Sequence, residues 1–169
     1  MPKIWPKIYF NVWQFTLDGF SRDFYFELIN NILQLNVNLF RAGFAPSPLC
    51  SYCNNSDETP THLFYECTYA QNLWRETQTF FIRDLSLPDL FPWSARLVLP
   101  LKFVDIARHI HFIFMMTLYK NRAAECCSFS YLKNKIFYCK KIELNVKFNS
   151  TNHHKISLSK WSKIENSWN

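Results

Sequence analysis

Residues 50–67 read Cys50-Ser-Tyr-Cys53-Asn-Asn-Ser-Asp-Glu-Thr-Pro-Thr-His62-Leu-Phe-Tyr-Glu-Cys67, a C-x2-C-x8-H-x4-C spacing. Two cysteines separated by two residues on a tight turn bring both sulfurs to one ion. Asn54-Asn55-Ser56-Asp57 is made of residues that close turns through their own side chains, so this stretch reverses the chain. Thr59-Pro60 then starts a helix, a cap followed by proline at the first helical position, and that helix presents His62. Cys67 completes a tetrahedron. Three thiolates and an imidazole select Zn2+ over hard cations. Four protein ligands leave no open position, so the zinc expected at Cys50, Cys53, His62 and Cys67 is structural. A dication on three thiolates keeps one net negative charge, so the knuckle does not itself attract anions. Its expected work is to fold and orient what surrounds it.

Working outward, residues 1–19 hold two prolines and scattered aromatics and read as an extended lead-in. Ser21 is placed to cap a helix through Phe24, Leu28, Ile29, Ile32 and Leu33. A second short helix, Val37 to Ala42, should end at Gly43 as its C′ residue. Ala45-Pro-Ser-Pro48 is a stiff loop leading into Cys50. After the knuckle, a helix from Tyr69 to Leu85 should bury Leu73, Trp74, Phe80 and Phe81. Residues 85–100 contain three prolines and read as a linker. A long apolar helix is expected over Phe103 to Arg122, and then a basic amphipathic one burying Leu132, Ile136, Cys139 and Val146. The end is polar, with a short last helix burying Leu158, Trp161, Ile164 and Trp168. The expected fold is therefore mostly α: a helical domain with a small central zinc knuckle. Its parts are a lead-in (1–19), a helical hairpin with the zinc module (20–85), a linker with long basic helices (86–146), and a polar basic tail (147–169).

Composition narrows the chemistry. The chain has 169 residues, 49% of them apolar, with 17 Phe, 8 Tyr and 6 Trp, enough for a real core. It has 2 glycines, where an average content of about 7% would give roughly 12. No Gly-rich phosphate loop can be written, which argues against a nucleotide cofactor. The net charge is +6. Residues 1–119 carry 9 Lys/Arg against 10 Asp/Glu, whereas residues 120–169 carry 10 against 3. All the excess positive charge lies in the last third, which is either a solvated helix face and tail or a surface for an anionic partner.

The start of the chain, broken by Lys and Pro, lacks the uninterrupted apolar stretch of a signal peptide, and the longest apolar stretch, Ile110 to Leu118, is far short of the ~20 residues of a bilayer span. The expectation is a soluble, intracellular protein without a membrane partner, in which six cysteines are not a disulfide framework. Cys126, Cys127 and Cys139 read as buried thiols. His109 and His111, two apart on a helix, face different ways and do not chelate together. His153-His154 read as solvated.

Pro48-Leu-Cys50-Ser-Tyr-Cys53, Glu58-Thr59, His62-Leu63-Phe64, Glu66-Cys67, Ala70 and Leu73-Trp74 together resemble the zinc-binding region at the carboxyl end of LINE-type (non-LTR) retrotransposon reverse transcriptases. Upstream, Phe24-Tyr-Phe-Glu-Leu-Ile29, Leu33, Asn36 and Leu39-Phe-Arg41 are similar to the paired helices that precede the knuckle in that family. The resemblance implies a non-catalytic module that binds the element's RNA or its target DNA during reverse transcription, beside the polymerase domain of the same element, in the nucleus or a cytoplasmic ribonucleoprotein. It also implies Cys50, Cys53, His62 and Cys67 as the zinc ligands. No Asp-Asp pair exists in the chain, so the Tyr-x-Asp-Asp polymerase signature is absent, and the chain is expected to be a carboxy-terminal remnant or a fragment of a longer reading frame.

The nucleic-acid contacts expected on charge alone are Arg41, Lys133, Lys135, Lys140, Lys141 and Lys147. Tyr52, inside the C-x2-C, either stacks on a base or packs beneath the knuckle. Two other functions remain open. Pro88-Asp89 with Asp105 loosely resembles the paired carboxylates of a restriction-like endonuclease that holds Mg2+. Alternatively, zinc staples a helical domain whose role is structural or protein-binding.

Overall fold

A computed structural model describes residues 19–81, 106–124, 127–145, 158, 161 and 162. These are organised as α1 (Gly19–Ile29), α2 (Asn36–Arg41), a π-helical turn (His62–Glu66), α3 (Thr68–Phe81), α4 (Ile106–Asn121) followed by a 3₁₀ turn (Arg122–Ala124), and α5 (Phe129–Asn145). The chain is mostly α, and among the described residues no strand is present; one isolated antiparallel bridge pairs Leu49 with Asp57. The expected linker over 85–100, Val146, Ile164, Trp168, Cys126 and His153-His154 lie outside the described residues, as do residues 1–18 of the lead-in.

The helix α4 is the hub. Every residue from Ile110 to Leu118 is buried, as befits a helix that is apolar all round. Phe24 of α1 meets Phe112 and Tyr119, with ring centroids 5.7 and 5.3 Å apart. From α3, Trp74 packs on Phe114 at 5.0 Å. Leu132 and Ile136 of α5 are buried, four residues apart on one face. From the π turn, the Tyr65 hydroxyl reaches Met115 Sδ at 3.5 Å.

The α1 region departs from the periodicity. The helix stops at Ile29, because Asn31 takes a left-handed conformation (φ 55°). Ile32 N donates to Glu27 O at 2.9 Å and Asn31 N to Leu28 O at 3.2 Å, the paired bonds of a Schellman cap with asparagine at C′. Ile32 is thereby turned out to solvent, while Leu33 is buried beyond the cap. Ser21 lies inside α1 and does not cap it; its hydroxyl meets Met116 Sδ at 3.2 Å. The α2 end follows expectation. Gly43 has φ 78°, and Phe44 N donates to Leu39 O at 2.8 Å.

Two other expected core residues are exposed. On α3 the buried stripe is Ala70, Leu73, Trp74 and Thr77, which rotates Phe80 to the surface against Phe129. Leu158 is exposed whereas Trp161 is buried. The expected partners of Leu132 and Ile136 also change: Cys139 is half-buried, and the buried residue of the following turn is Glu143. Glu143 sits 2.8 Å from His109 Nε2 and accepts a 2.8 Å hydrogen bond from Trp161 Nε1. Its two oxygens tie α4, α5 and Trp161 together.

His111, on the opposite side of α4, is packed among Trp74, Tyr65 and Phe114, with ring centroids 4.9 to 6.0 Å away. Burial disfavours the imidazolium and lowers its pKa to about 4. The folded protein therefore holds a neutral imidazole where the unfolded chain, titrating near pH 6.5, is protonated. Stability is lost as pH falls from about 6.5 towards 4, by roughly 3 kcal/mol from this group. Urea unfolding of His111→Phe against the parent at pH 7.5 and 4.5 should show a distinctly shallower pH dependence in the variant. Parallel curves would show that His111 is not the titrating group.

Candidate metal centre

Cys50, Cys53, His62 and Cys67 converge, with their ligand atoms all within 4.8 Å of one another. Cys50 Sγ and Cys67 Sγ are 3.9 Å apart, and Cys53 Sγ lies 3.2 Å from His62 Nε2. Tetrahedral zinc with Zn–S near 2.3 Å and Zn–N near 2.0 Å requires edges of about 3.8 Å between sulfurs and about 3.5 Å from sulfur to nitrogen. The donor set and its spacing fit one structural zinc. Cys50, His62 and Cys67 are buried and Cys53 half-buried, so the ion would be closed off from solvent.

Local backbone chemistry sets each ligand. Asn54 occupies the left-handed region (φ 53°) and its N–H donates to Cys50 O at 2.9 Å, closing the C-x2-C turn. Cys50 N donates to Ser56 O at 2.8 Å, and Glu58 N to Pro48 O at 2.8 Å, so the returning strand of the loop is pinned to the entering one. Thr59 caps the next helical segment: its Oγ1 accepts from His62 N at 3.1 Å.

The π turn explains the His-x4-Cys interval. In an α-helix, residues five apart diverge by about 140° around the axis. Here Cys67 N donates to His62 O at 2.8 Å, an i to i−5 bond that widens the turn and brings both side chains to one side. Gln71 Nε2 donates to Tyr65 O at 2.9 Å, which satisfies a carbonyl at the end of this turn.

Within the ligand set the Cys50 thiol donates to Cys67 Sγ, which lowers the Cys67 pKa to about 7 and, with burial, pushes Cys50 well above the ordinary thiol range. One sulfur is thus prepared as a thiolate while its neighbour keeps the proton that a metal must displace.

Residues 1–74 match the family described as zinc-binding in reverse transcriptase. That match covers the helices before the knuckle, all four ligands and the Leu73-Trp74 pair, the residues on which the resemblance rested. It describes zinc binding and names no reaction. Among curated proteins and solved structures, none matches the chain.

The zinc-binding region is held by a residue that spacing alone does not single out. Glu58 is 0% exposed. Its Oε1 accepts from Asn36 N at 3.0 Å, and its Oε2 accepts from Ser51 N at 2.8 Å and Ser51 Oγ at 2.7 Å. Arg122 Nε lies 3.5 Å from Oε1. The Arg122 guanidinium also lies over the Tyr119 ring at 4.2 Å and donates to Gln34 O. One carboxylate therefore joins the first turn of α2, the C-x2-C turn and the end of α4. The only sequence signal for it was its place in the Glu-Thr step before the histidine.

Of the charged and aromatic residues expected at nucleic acid, four share α5. Tyr52 stacks on Tyr69 with centroids 4.7 Å apart and planes 7° off parallel, and its hydroxyl donates to Leu118 O at 2.9 Å, so it packs beneath the knuckle. Arg41 is exposed at the end of α2. On α5, Lys141 is exposed and Lys133, Lys135 and Lys140 are half-buried. Lys147, Asp89 and Asp105 lie outside the described residues. No helix among the described residues is long and apolar enough to cross a membrane.

Proposed function

We propose that this chain is a non-catalytic, zinc-stapled module that binds the RNA, or the target DNA, of a LINE-type retrotransposon alongside the polymerase domain of the same element, within its nuclear or cytoplasmic ribonucleoprotein. The observation that carries the reading is the closed Cys50–Cys53–His62–Cys67 centre within a region matching a reverse-transcriptase zinc-binding family. Zinc supplies a cross-link between the C-x2-C turn and the π turn; the phosphate-neutralising charge comes from elsewhere in the chain. Residues 120–169 carry 10 Lys/Arg against 3 Asp/Glu, and Lys and Arg neutralise phosphates without reading sequence.

The experiment is a titration of the zinc-loaded chain against a short structured RNA and a DNA duplex at several salt concentrations. Micromolar or tighter binding is expected, with affinity falling steeply as salt rises. Absence of binding at low salt, from folded and zinc-replete protein, would leave a metal-stapled domain with a structural role. Metal-dependent strand cleavage abolished by Asp89→Asn would instead support a nuclease.

A further inference from the structure

The outward face of α5 has a composition of its own. Ser128 caps the helix, its Oγ accepting from Tyr131 N at 3.2 Å. Tyr131, Asn134, Tyr138, Lys141 and Asn145 then fall at three- and four-residue intervals and are all exposed. Tyr131 is 46% and Tyr138 56% exposed, so the rings of both are open to solvent on this face. Lys135 Nζ sits 5.3 Å from the Tyr138 ring centroid, and Lys133 Nζ lies 4.1 Å over the Phe80 ring beside this face. The helix has one acidic residue, Glu143, and that carboxylate is turned inward onto His109 and Trp161. What α5 shows to solvent is therefore lysine, amide and tyrosine, with no carboxylate.

Resting on the proposed function, we propose that this face binds single-stranded nucleic acid, with Tyr131 and Tyr138 stacking on unpaired bases and Lys135 and Lys141 neutralising the phosphates between them. The charge of the face is complementary to a phosphodiester chain. Its two rings stand seven residues apart, two helical turns or roughly 10.5 Å, a gap that a short strand with unstacked, splayed bases can bridge. Base faces are available for stacking only where the strand is unpaired, since in a duplex they are covered by neighbouring pairs. Stacking on an aromatic is sequence-tolerant, because every base has a π-face. The geometry thus separates a strand-state preference from the sequence-independent attraction of the lysines.

The test uses the zinc-loaded full chain with three labelled probes: oligouridylate, oligothymidylate, and a blunt RNA duplex. Tyr131→Ala/Tyr138→Ala should weaken both single-stranded probes by roughly tenfold or more and leave duplex affinity nearly unchanged. Tyr131→Phe/Tyr138→Phe, which keeps the rings, should bind as the parent does. Both tyrosines are exposed, so retained helicity and zinc content in each variant verify the fold. Unchanged single-strand affinity in the alanine variant, or an equal loss on duplex, overturns the stacking assignment while leaving the charge-based function standing. A parent chain that binds none of the probes at low salt overturns the function itself, and this inference with it.

Discussion

Cys53→Ser should abolish zinc binding and unfold the region around the knuckle, the largest effect expected of any single substitution in this chain. A structural zinc contributes about 10–16 kcal/mol in zinc-finger peptides near pH 7, which matches or exceeds the roughly 5–15 kcal/mol that holds a whole domain folded. The loss cannot stay local. Cys50 and Cys67 are wholly buried members of the same core as Leu63, Phe64 and Leu118, so in the variant two sulfurs without their ion would sit in apolar surroundings beside α4. Zinc stoichiometry by colorimetric release should fall from one to zero, and far-ultraviolet circular dichroism and thermal unfolding should report loss of helix and a lowered or vanished Tm. Chelation of the parent should reproduce the phenotype. Cys127→Ser and Cys139→Ser, outside the cluster, should keep one zinc. The pH dependence has a definite sign: zinc binding must release the proton held on Cys50, which titrates above the ordinary thiol range, so affinity falls as pH drops throughout the neutral range, and more steeply once Cys67, lowered to about 7, also takes up a proton. A full complement of zinc in Cys53→Ser would refute the ligand assignment.

The zinc site was legible in the sequence because metal ligation fixes residue type and interval together. Gly43 was legible for a similar reason: a left-handed C′ residue strongly favours glycine, and the chain has only one other. Asn31 performs the same task at the end of α1, but Ile32 and Leu33 continue the helical apolar rhythm past it, and that rhythm outvoted the cap. The π turn was hidden because no spacing rule distinguishes His-x4-Cys on an α-helix from the same interval on a widened turn. Buried carboxylates were hidden more deeply. A lone Glu143 among lysines reads as part of a solvated face, and only the packing of α4 and Trp161 shows that it faces inward. The same physics misplaced Phe80, whose exposure follows from the buried Ala70, Leu73, Trp74 and Thr77 stripe on α3. Hydrophobic pattern thus located the helices, whereas the residues that fix their mutual placement are polar groups satisfied by partners remote in sequence.

Glu58→Gln follows from that last point and is expected to cost on the order of 3 kcal/mol, the scale for removing one partner of a buried ion pair. The substitution keeps the size of the side chain but replaces an acceptor oxygen by an NH2 donor. Whichever way the amide is turned, it must face either the Asn36 N–H or the Ser51 N–H and hydroxyl, all of them donors to the carboxylate. A donor-to-donor clash and an orphaned buried N–H follow. Arg122 loses its carboxylate while keeping its stacking on Tyr119 and its carbonyl contacts, which moderates the penalty on that side. Arg122→Met breaks the same pair from the other side, leaving the buried Glu58 carboxylate with its three hydrogen-bond donors but no cation, and should cost a comparable amount. The double variant should be less destabilised than the sum of the singles, because once Glu58 is neutral the arginine has no charge partner left to lose.

Ser51 lies between Cys50 and Cys53, so the consequence reaches the metal. Groups that orient ligands without touching the ion are typically worth 10–100-fold in metal affinity. Competition with a zinc chelator should show Glu58→Gln weaker by about that factor, while Arg122→Met, which leaves the Glu58–Ser51 bonds in place, holds zinc nearly as the parent does. Urea unfolding measured alongside separates the two effects. Destabilisation with unchanged zinc affinity would mean that Glu58 serves only to join α2 and α4, and that the C-x2-C turn keeps its shape through the Asn54 and Ser56 backbone bonds alone.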